Sequence, residues 1–397
     1  MKKENVLVGL LALIQFTNIM DFMIMMPLGP QLMRLFSISP REFGIIVSSY
    51  TISAGLSGFF AAFLIDRFDR KTALMALYTG FIIGTFVCGL APSYTGLVAA
   101  RILTGVFGGV LGALVMSIVS DAFPIEKRGS AMGLVMAGFA LASVFGVPFG
   151  LFIATLYSWH WPFLFLAGFG VIILIILNFY MPSMRNHIRP GIRSATPLEI
   201  LREIGSNTNQ LLALLLMSCL VLGQFTVIPF ISNYMVANVG FKESELTYIY
   251  LFGGIVSLVA GPIIGKLADR YGRYKVFIIS VLLSGIPIFL ITNMPRVPLH
   301  QALIVNGLFF LVMAGRMSPA MTIISSTVLP QRRGSFMSIN SCVMQLSSGL
   351  ASFASGVIMV KTATGEFENY HLVGYIAIFF SILCVLIVGN IKSAEAS

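Results

Sequence analysis

Residues 265–273 read GKLADRYGR, and residues 66–71 read DRFDRK. Both stretches follow a long apolar segment and carry an aspartate directly before an arginine. Asp66 lies 203 residues before Asp269, the equivalent aspartate of the second stretch. A polar loop that recurs at such a distance indicates that the second half of the chain repeats the first.

A second pair of loops repeats at nearly the same spacing. Pro124 precedes Arg128 in the first half, Pro330 precedes Arg333 in the second, and the two arginines are 205 residues apart. Two loops that repeat at almost one offset are hard to obtain by chance. They predict two halves of similar structure.

The composition shows what surrounds these loops. Apolar residues make up 57% of the chain and charged residues 10%, whereas a soluble domain carries about a quarter charged residues. Too few charges remain for a polar shell, so lipid must solvate much of the surface. Twelve apolar segments approach or exceed the roughly 20 residues of a membrane-spanning helix. They occupy residues 6–33, 43–65, 73–91, 94–118, 130–156, 161–181, 209–237, 246–267, 276–294, 300–328, 336–360 and 370–391. We therefore predict an all-α membrane protein with twelve transmembrane helices in two pseudo-symmetric six-helix bundles.

A polar stretch divides the spans six from six. We predict an N-terminal bundle over residues 1–181, a cytoplasmic linker over 182–207 and a C-terminal bundle over 208–397. Within the linker, Thr196, Pro197 and Glu199 form a capping-box pattern that predicts a short amphipathic helix on the inner membrane surface. A flexible tether is the alternative.

The net charge of +10 is a matter of topology rather than of nucleic acid binding. With the N-terminus inside, 18 of the 25 Lys and Arg residues fall in cytoplasmic segments and five in external ones. This bias predicts a multi-pass protein of the cell membrane, plasma or bacterial inner, with both termini in the cytoplasm. We expect contacts with membrane lipids, no nucleic acid partner, and a monomer.

Several kinds of chemistry have no sequence support. No phosphate loop with Lys and Ser/Thr is present, so an ATP-driven pump is not indicated and we predict no cofactor. The four His and four Cys residues lack metal-ligand spacing, so we predict no metal. No serine lies near a His and an acid in a catalytic pattern, so we predict that the protein is not an enzyme.

Three ionisable residues lie inside spans: Asp21, Arg101 and Arg316. Such groups are costly in hydrocarbon and indicate function. At a rise of about 1.5 Å per residue, Asp21 and Arg101 reach similar depths in the outer half of the membrane. We predict that they face one cavity and interact, with Asp21 exchanging a proton and releasing Arg101. A permanent structural ion pair between spans 1 and 4 is the alternative.

Span 1 carries a polar stripe along one helical face, formed by Gln15, Asn18, Asp21, Phe22 and Met25. A polar stripe in lipid must turn inward. We predict that it lines a water-filled cavity and contacts substrate, although contact with another helix also explains it.

Further candidates for substrate contacts lie in spans 7, 10 and 11. Buried amides need partners, which favours them as lining groups. The candidates are Gln224, Asn233, Asn306, Phe310, Arg316, Asn340 and Gln345. Arg316 either attracts an anionic group of the substrate or caps nearby carbonyls, and the sequence leaves both open.

These motifs together resemble the major facilitator superfamily over essentially the whole chain. The stretch at 265–273 fits the signature loop of that family, whereas the first-half loop departs from it at Ala62 and Asp69. Arg101 with the glycines after it is similar to the span 4 motif of proton-coupled members. Gly138, Gly146, Pro148 and Gly150 are similar to the span 5 antiporter motif.

The resemblance implies the major facilitator fold and a set of gating residues. In the family, the signature loops form a charge network at the cytoplasmic helix ends that holds one conformation and breaks in another. The positions implied here are Asp66, Arg67, Arg70, Lys71, Arg128, Asp269, Arg270, Arg273, Arg333, Gly146, Pro148 and Gly150.

The resemblance is greatest to twelve-span drug:proton antiporters and arabinose-efflux-like permeases. It implies secondary active transport by alternating access, with protons driving export of a small drug-like, sugar-like or amphipathic solute. A proton symporter, a facilitator or a lysolipid transporter of the same fold is an alternative. A non-transporting membrane sensor is the alternative from another class.

Overall fold

The structure, a computed structural model, describes residues 3–185, 197–329 and 332–394. Twelve of its helical segments are long and apolar enough to span a membrane, which confirms the predicted number of spans. Because that number is even, both chain ends lie on one side of the helix bundle. We call it the terminal side and the opposite one the far side.

The helices follow one another with short connections. They are α1 Lys3–Ile24, α2 Gly29–Leu35, α3 Pro40–Leu64, α4 Arg70–Gly89, α5 Tyr94–Ala122, α6 Ile125–Leu141, α7 Val147–Leu156, α8 His160–Tyr180, α9 Pro197–Ser206, α10 Thr208–Phe225, α11 Ile231–Tyr234, α12 Glu243–Tyr271, α13 Arg273–Thr292, α14 Leu299–Ser326, α15 Arg333–Ile358 and α16 Tyr370–Val388. Span 1 is α1, span 5 contains α6 and α7, span 7 contains α10 and α11, and α9 lies between the halves. The short strands β1 (Val360–Lys361) and β2 (Phe367–Glu368) pair antiparallel on the far side.

Small polar residues begin several helices. Ser39 opens α3 with a capping box, in which its backbone N–H donates to Glu42 at 2.8 Å and Glu42 N–H donates to the Ser39 hydroxyl. The Ser93 hydroxyl accepts from the N–H of Gly96 at the start of α5. These contacts satisfy N–H groups that a helix cannot pair internally, and they fix where spans 2 and 4 begin.

Spans 1, 5 and 7 are interrupted. The first apolar run was predicted to continue to residue 33, but α1 ends at Ile24 and a short second helix follows Pro27. Span 5 contains a π turn at Ala142–Gly146. Span 7 breaks around Pro229 and resumes at Ile231. Proline lacks the N–H that a continuous helix requires, which accounts for the breaks in spans 1 and 7.

Three apolar cores show how the halves meet. The first lies on the far side and joins both halves, with Ile24, Met25 and Phe43 packed together with Phe230 and Ile288. The second lies on the terminal side and is built by the N-terminal half alone. The third, also on the terminal side, belongs to the C-terminal half, and Phe59 is the residue of the other half that packs against it. The halves are therefore joined on the far side and separated by a gap on the terminal side.

Two pairs of spans carry the contact between the halves. In spans 2 and 11, a Cβ on Gly44 would lie 2.8 Å from the backbone oxygen of Ser352. In spans 5 and 8, a Cβ on Gly254 would lie 2.8 Å from Cα of Val144. Glycine at these positions lets the backbones approach closely. The far side is also tied by an ion pair between Arg34 and Glu243.

Candidate functional site

The site is centred on an ion pair inside the N-terminal half. Arg101 of α5 donates from Nη1 to Asp21 Oδ2 of α1 at 2.7 Å, and the Thr85 hydroxyl of α4 donates to Asp21 Oδ1 at 3.0 Å. The side chain of Asp21 is 0% exposed and that of Arg101 is 1% exposed. Removing one partner would strand a charge in an apolar interior, which makes the pair a sensitive element of the fold.

Tyr50 of α3 joins this pair to the polar stripe of span 1. Its ring lies 4.4 Å from Arg101 Cζ, in cation–π contact. Its hydroxyl donates to Asn18 Oδ1 at 3.0 Å, and Asn18 Nδ2 donates to the backbone oxygen of Gly108 at 2.9 Å. Spans 1, 2, 3 and 4 thus meet in one buried polar network.

Glycines of α5 make room for Tyr50. A Cβ on Gly108 would lie 2.5 Å from the Tyr50 hydroxyl oxygen, and one on Gly105 would collide with the Tyr50 backbone. The glycines that follow Arg101 therefore have a local role, because they let span 2 press its tyrosine against span 4.

The prediction that Asp21 and Arg101 face an open cavity is wrong for this conformation. The two side chains interact, as predicted, but protein surrounds both of them. Met25 is also fully buried, in the far-side core. The physical reason is that Tyr50 and Phe22 lie on the pair, so the polar stripe is covered by aromatic rings.

Phe22 lies where the N-terminal half meets the C-terminal half. Its ring stacks on Tyr50, with centroids 5.4 Å apart, and contacts Phe225 of α10 at 6.0 Å. Phe225 packs against both the far-side core and the core of the C-terminal half. These rings form the closed end of the gap between the halves.

The amide side chains predicted to bind substrate share an unusual property. Each has a buried polar atom with no hydrogen-bond partner among the residues that the structure describes. They are Gln15, Gln224, Asn233, Asn306 and Asn340. Unpaired buried amides are costly, so these groups are poised to bind a polar molecule.

The placement of the individual candidates differs. Gln15 and Gln224 are half-buried on spans 1 and 7. Asn233 is enclosed at the far side, since a Cβ on Gly29 would lie 2.5 Å from its Nδ2. Gln345 is half-buried beside span 2, where its Cβ would lie 3.3 Å from a Cβ on Gly55. Phe310 packs edge-on against Tyr250 at 6.4 Å.

Arg316 lies away from the gap, in the interior of the C-terminal half. Its Nη1 donates to the hydroxyls of Ser284 at 3.2 Å and Ser381 at 3.1 Å, on spans 9 and 12. Its Nε and Nη2 have no partner among the described residues. Neither predicted role is seen in this conformation: Arg316 caps hydroxyls rather than carbonyls, and it is too deeply buried for a substrate to reach.

The predicted gating loop of the first half forms a dense network. Arg70 donates from Nε to Asp121 at 2.9 Å, and Lys71 Nζ donates to the backbone oxygen of Asn178 at 2.7 Å. Asp69 accepts from the Ser183 hydroxyl, from Arg185 Nε and from the N–H groups of Lys71 and Met184. Burial acts to raise the pKa of Asp69, but these hydrogen bonds outweigh it and hold the pKa well below its usual range.

The corresponding loop of the second half is exposed. Within the described ranges, the side chains of Asp269 and Arg273 have no hydrogen bond or ion pair, and Arg270 lies over the ring of Tyr271. Arg333 and Arg67 are exposed as well. Arg128 donates to the backbone oxygen of Phe123 at 2.9 Å. The side chain of Asp66 lies outside the described part of the structure.

The span 5 motif packs against span 1. A Cβ on Gly146 would lie 3.0 Å from Met20 Sδ, and one on Gly150 would lie 2.9 Å from Ile24 Cδ1. Pro148 is buried between them. Their position one turn apart, next to the π turn, makes them contact points between helices rather than substrate ligands.

Three residues of the site were not predicted: Tyr50, Thr85 and Phe225. Tyr50 and Thr85 are polar-tipped residues inside apolar spans, a signal that marks a side chain in need of a partner. Phe225 is one of 33 phenylalanines, and the sequence gives no signal that distinguishes it.

Comparison with known proteins places this geometry in a family. The family model described as Major Facilitator Superfamily matches residues 11–222 and 213–393. The chain is 27% identical to YceJ of Bacillus subtilis (strain 168), an uncharacterised MFS-type transporter, over 86% of each chain. It is 28% identical to the inner membrane transport protein YdhP of Escherichia coli (strain K12), over 67% of this chain and 68% of that protein.

Solved structures share the fold. A mutant of the nucleoside transporter NupG superimposes with a TM-score of 0.76 at 15% identity, over 97% of this chain and 98% of that chain. A bacterial homologue of the human lysosomal transporter Spinster, inward-facing and occupied, gives 0.75 at 15% identity, over 98% and 97%. The chain is therefore a multi-pass membrane protein that belongs to the major facilitator superfamily of transporters.

Proposed function

We propose that this transporter exports a small organic solute in exchange for protons. The observation that supports the proposal is the Asp21–Arg101 ion pair, fully buried and held by spans 1 and 4. A carboxylate inside a membrane protein is a proton carrier when its partner can be released, because its affinity for protons depends on that partner.

The arrangement of the three cores supports alternating access. The far-side core joins the halves while the terminal-side cores stand apart, so the gap opens toward the terminal side. Rocking of one half against the other would close this gap and open the far side. We propose that the terminal side is cytoplasmic, in accordance with the distribution of Lys and Arg, and that the chain lies in the bacterial inner or plasma membrane as a monomer.

The coupling step uses the pair directly. A proton that binds a carboxylate oxygen of Asp21 removes its charge, so the attraction to Arg101 is lost and the guanidinium is free to move. Arginine itself keeps its proton. Solute and proton then compete for the state of one network, which is the requirement for exchange.

The chemistry around the gap favours a solute with both apolar and polar parts. Phe22 and Phe225 supply ring surfaces at the closed end. Gln15, Gln224 and Asn340 carry buried amide atoms with no partner among the described residues. Rings and amides together suit a drug-like, sugar-like or amphipathic compound.

Proteoliposomes with an imposed pH gradient test the proposal. Flux of a panel of dyes, sugars, amino acids and lysolipids would be measured for the natural chain and for Asp21→Asn. We expect at least one solute to respond to the gradient and Asp21→Asn to reduce that response by roughly 100-fold, within the range for loss of a proton-transfer group.

The matched control is Glu368→Gln, a loss of one acid at an exposed position of β2, which is expected to leave the response unchanged. Flux that ignores the pH gradient for every solute, or an unchanged response in Asp21→Asn, would overturn the proposal.

A further inference from the structure

A continuous set of contacts runs from the buried ion pair to the opposite half. Arg101 Cζ lies 4.4 Å from the centroid of the Tyr50 ring. The Tyr50 ring stacks on Phe22 with centroids 5.4 Å apart and planes at 27°. Phe22 contacts Phe225 with centroids 6.0 Å apart. Phe22 belongs to span 1 and Phe225 to span 7, so the last contact crosses between the halves.

We propose that Tyr50 and Phe22 are positioning residues that transmit the state of the Asp21–Arg101 pair to Phe225, and so to the C-terminal half. The inference rests on the proposed function, because it assumes that Asp21 takes up and loses a proton. It adds the physical link between that event and the movement of the halves.

The direction of the coupling follows from the charges. With Asp21 ionised, its carboxylate holds the guanidinium at 2.7 Å and so fixes it against the Tyr50 ring. When Asp21 is protonated, the guanidinium loses that anchor. The cation–π contact then changes, and with it the packing of Phe22 on Phe225. A ligand, here a proton, shifts an equilibrium only if its contacts differ between the two states.

Few other ionisable groups act on this network. The charges that act on Tyr50 are those of Asp21 on span 1, Arg101 on span 4 and Cys88 on span 3. Cys88 is buried with its Sγ 3.6 Å from the hydroxyl of Thr104. Asp21 is the carboxylate in this set, so a pH response of the network in the physiological range depends on it.

The ring of Tyr50 carries the link, and its hydroxyl serves to orient it. The hydroxyl donates to Asn18 within the same half, whereas the ring contacts both Arg101 and Phe22. Tyr50→Phe keeps the ring and should preserve the link. Tyr50→Leu and Phe22→Leu remove a ring and should break it.

A distance measurement across the far side tests this without knowledge of the substrate. Spin labels at Leu35→Cys and Tyr248→Cys, exposed positions on α2 and α12, would report the separation of the halves in nanodiscs between pH 5 and 8. The four native cysteines are buried, which limits labelling to the two new sites. In the natural sequence we expect the distance distribution to change with pH.

The variants separate the outcomes. Asp21→Asn should give one distribution at all pH values. Phe22→Leu, Phe225→Leu and Tyr50→Leu should reduce the pH-dependent change in the population ratio by about fivefold or more, in line with loss of a cation–π or ring contact. Tyr50→Phe should retain it.

A second cross-half aromatic pair provides the matched control. Phe43 of span 2 contacts Phe230 of span 7, with centroids 5.6 Å apart, in the far-side core. Phe230→Leu removes a ring between the halves that does not touch Arg101, so the pH response should remain.

Each proposal fails in its own way. If Asp21→Asn still shows the pH response, the proposed proton coupling is overturned. If Asp21→Asn abolishes the response but both Phe22→Leu and Phe225→Leu keep it in full, the link through the rings is overturned while proton coupling stands. A response that Phe230→Leu reduces as strongly as Phe225→Leu also overturns the link.

Discussion

The two halves share a helix order but differ in what they bury at equivalent positions. The spacing of 205 residues that relates Arg128 to Arg333 also relates Arg101 to Asn306. Arg101 is paired with a carboxylate, whereas Asn306 donates to the backbone oxygen of Ala302 one turn earlier and carries no charge. The duplicated scaffold therefore holds an ionisable network in one half and a neutral amide in the other.

The same contrast appears at Tyr50. The spacing of 203 residues between the repeated loops relates Tyr50 to Gly253, and the ring of Phe310 covers that glycine. An aromatic ring occupies this level in both halves, but it comes from span 2 in one and span 10 in the other. The comparison teaches that duplication preserved the packing while one half alone specialised in proton chemistry.

The largest test of this comparison is removal of the two equivalent residues. Arg101→Met leaves Asp21 buried without its cation and should destabilise the protein by about 3–5 kcal/mol. Asn306→Leu leaves no unpaired charge, so its cost should stay below about 1.5 kcal/mol. Thermal unfolding of the purified variants measures both.

A double variant sharpens the result. Asp21→Asn with Arg101→Met buries no charge and should recover much of the stability that Arg101→Met loses, without recovering proton-driven flux. Equal stability of Arg101→Met and Asn306→Leu would show that the halves do not differ in this respect.

A change of opposite sign is expected at Arg316, the buried arginine of the C-terminal half. It binds two serine hydroxyls and has no carboxylate partner among the described residues. Replacement of a buried charge by an apolar side chain of similar length is often neutral or stabilising. Arg316→Met should therefore raise stability by about 1–3 kcal/mol and keep transport. Loss of flux in a stable Arg316→Met protein would instead show that substrate reaches this arginine.

The smallest effect concerns the repeated loops. Asp69→Asn removes a carboxylate that accepts several hydrogen bonds and should cost about 1–2 kcal/mol. Asp269→Asn changes an exposed side chain and should cost less than about 0.5 kcal/mol. Chemical unfolding of the two variants gives the comparison.

The pH dependence of this difference has a definite sign. Because the folded-state pKa of Asp69 lies below its usual value, its contribution is fully present above the unfolded pKa of about 3.9 and is lost as the pH falls further. The two aspartate variants should thus differ in stability at pH 7 and converge in strong acid. A difference that persists unchanged there would contradict the role of the charged carboxylate.

Hydropathy and charge were sufficient to predict much of the molecule. The lack of charged residues predicted twelve spans because lipid cannot solvate a polar surface. Depth along the helix brought Asp21 and Arg101 to one level, and the structure pairs them. Pro27 and Pro229 carried the signal for the breaks in spans 1 and 7, since each removes a backbone donor.

The orientation of side chains about each helix could not be predicted in the same way. A span is apolar on all sides, so periodicity does not show which face meets lipid and which meets protein. Arg316 was therefore expected at the gap although it points into its own bundle. Tyr50 was missed for the same reason, because its partners come from three other spans.

The far-side core has a thermodynamic consequence. To open that side, Phe43, Phe230 and their neighbours must leave an apolar interior, which raises the heat capacity of the open state if water enters. Since hydrophobic stabilisation weakens on cooling, a lower temperature should favour the far-open state. The balance between the two orientations of this transporter, and with it the rate of its cycle, is thereby tied to the temperature of the cell.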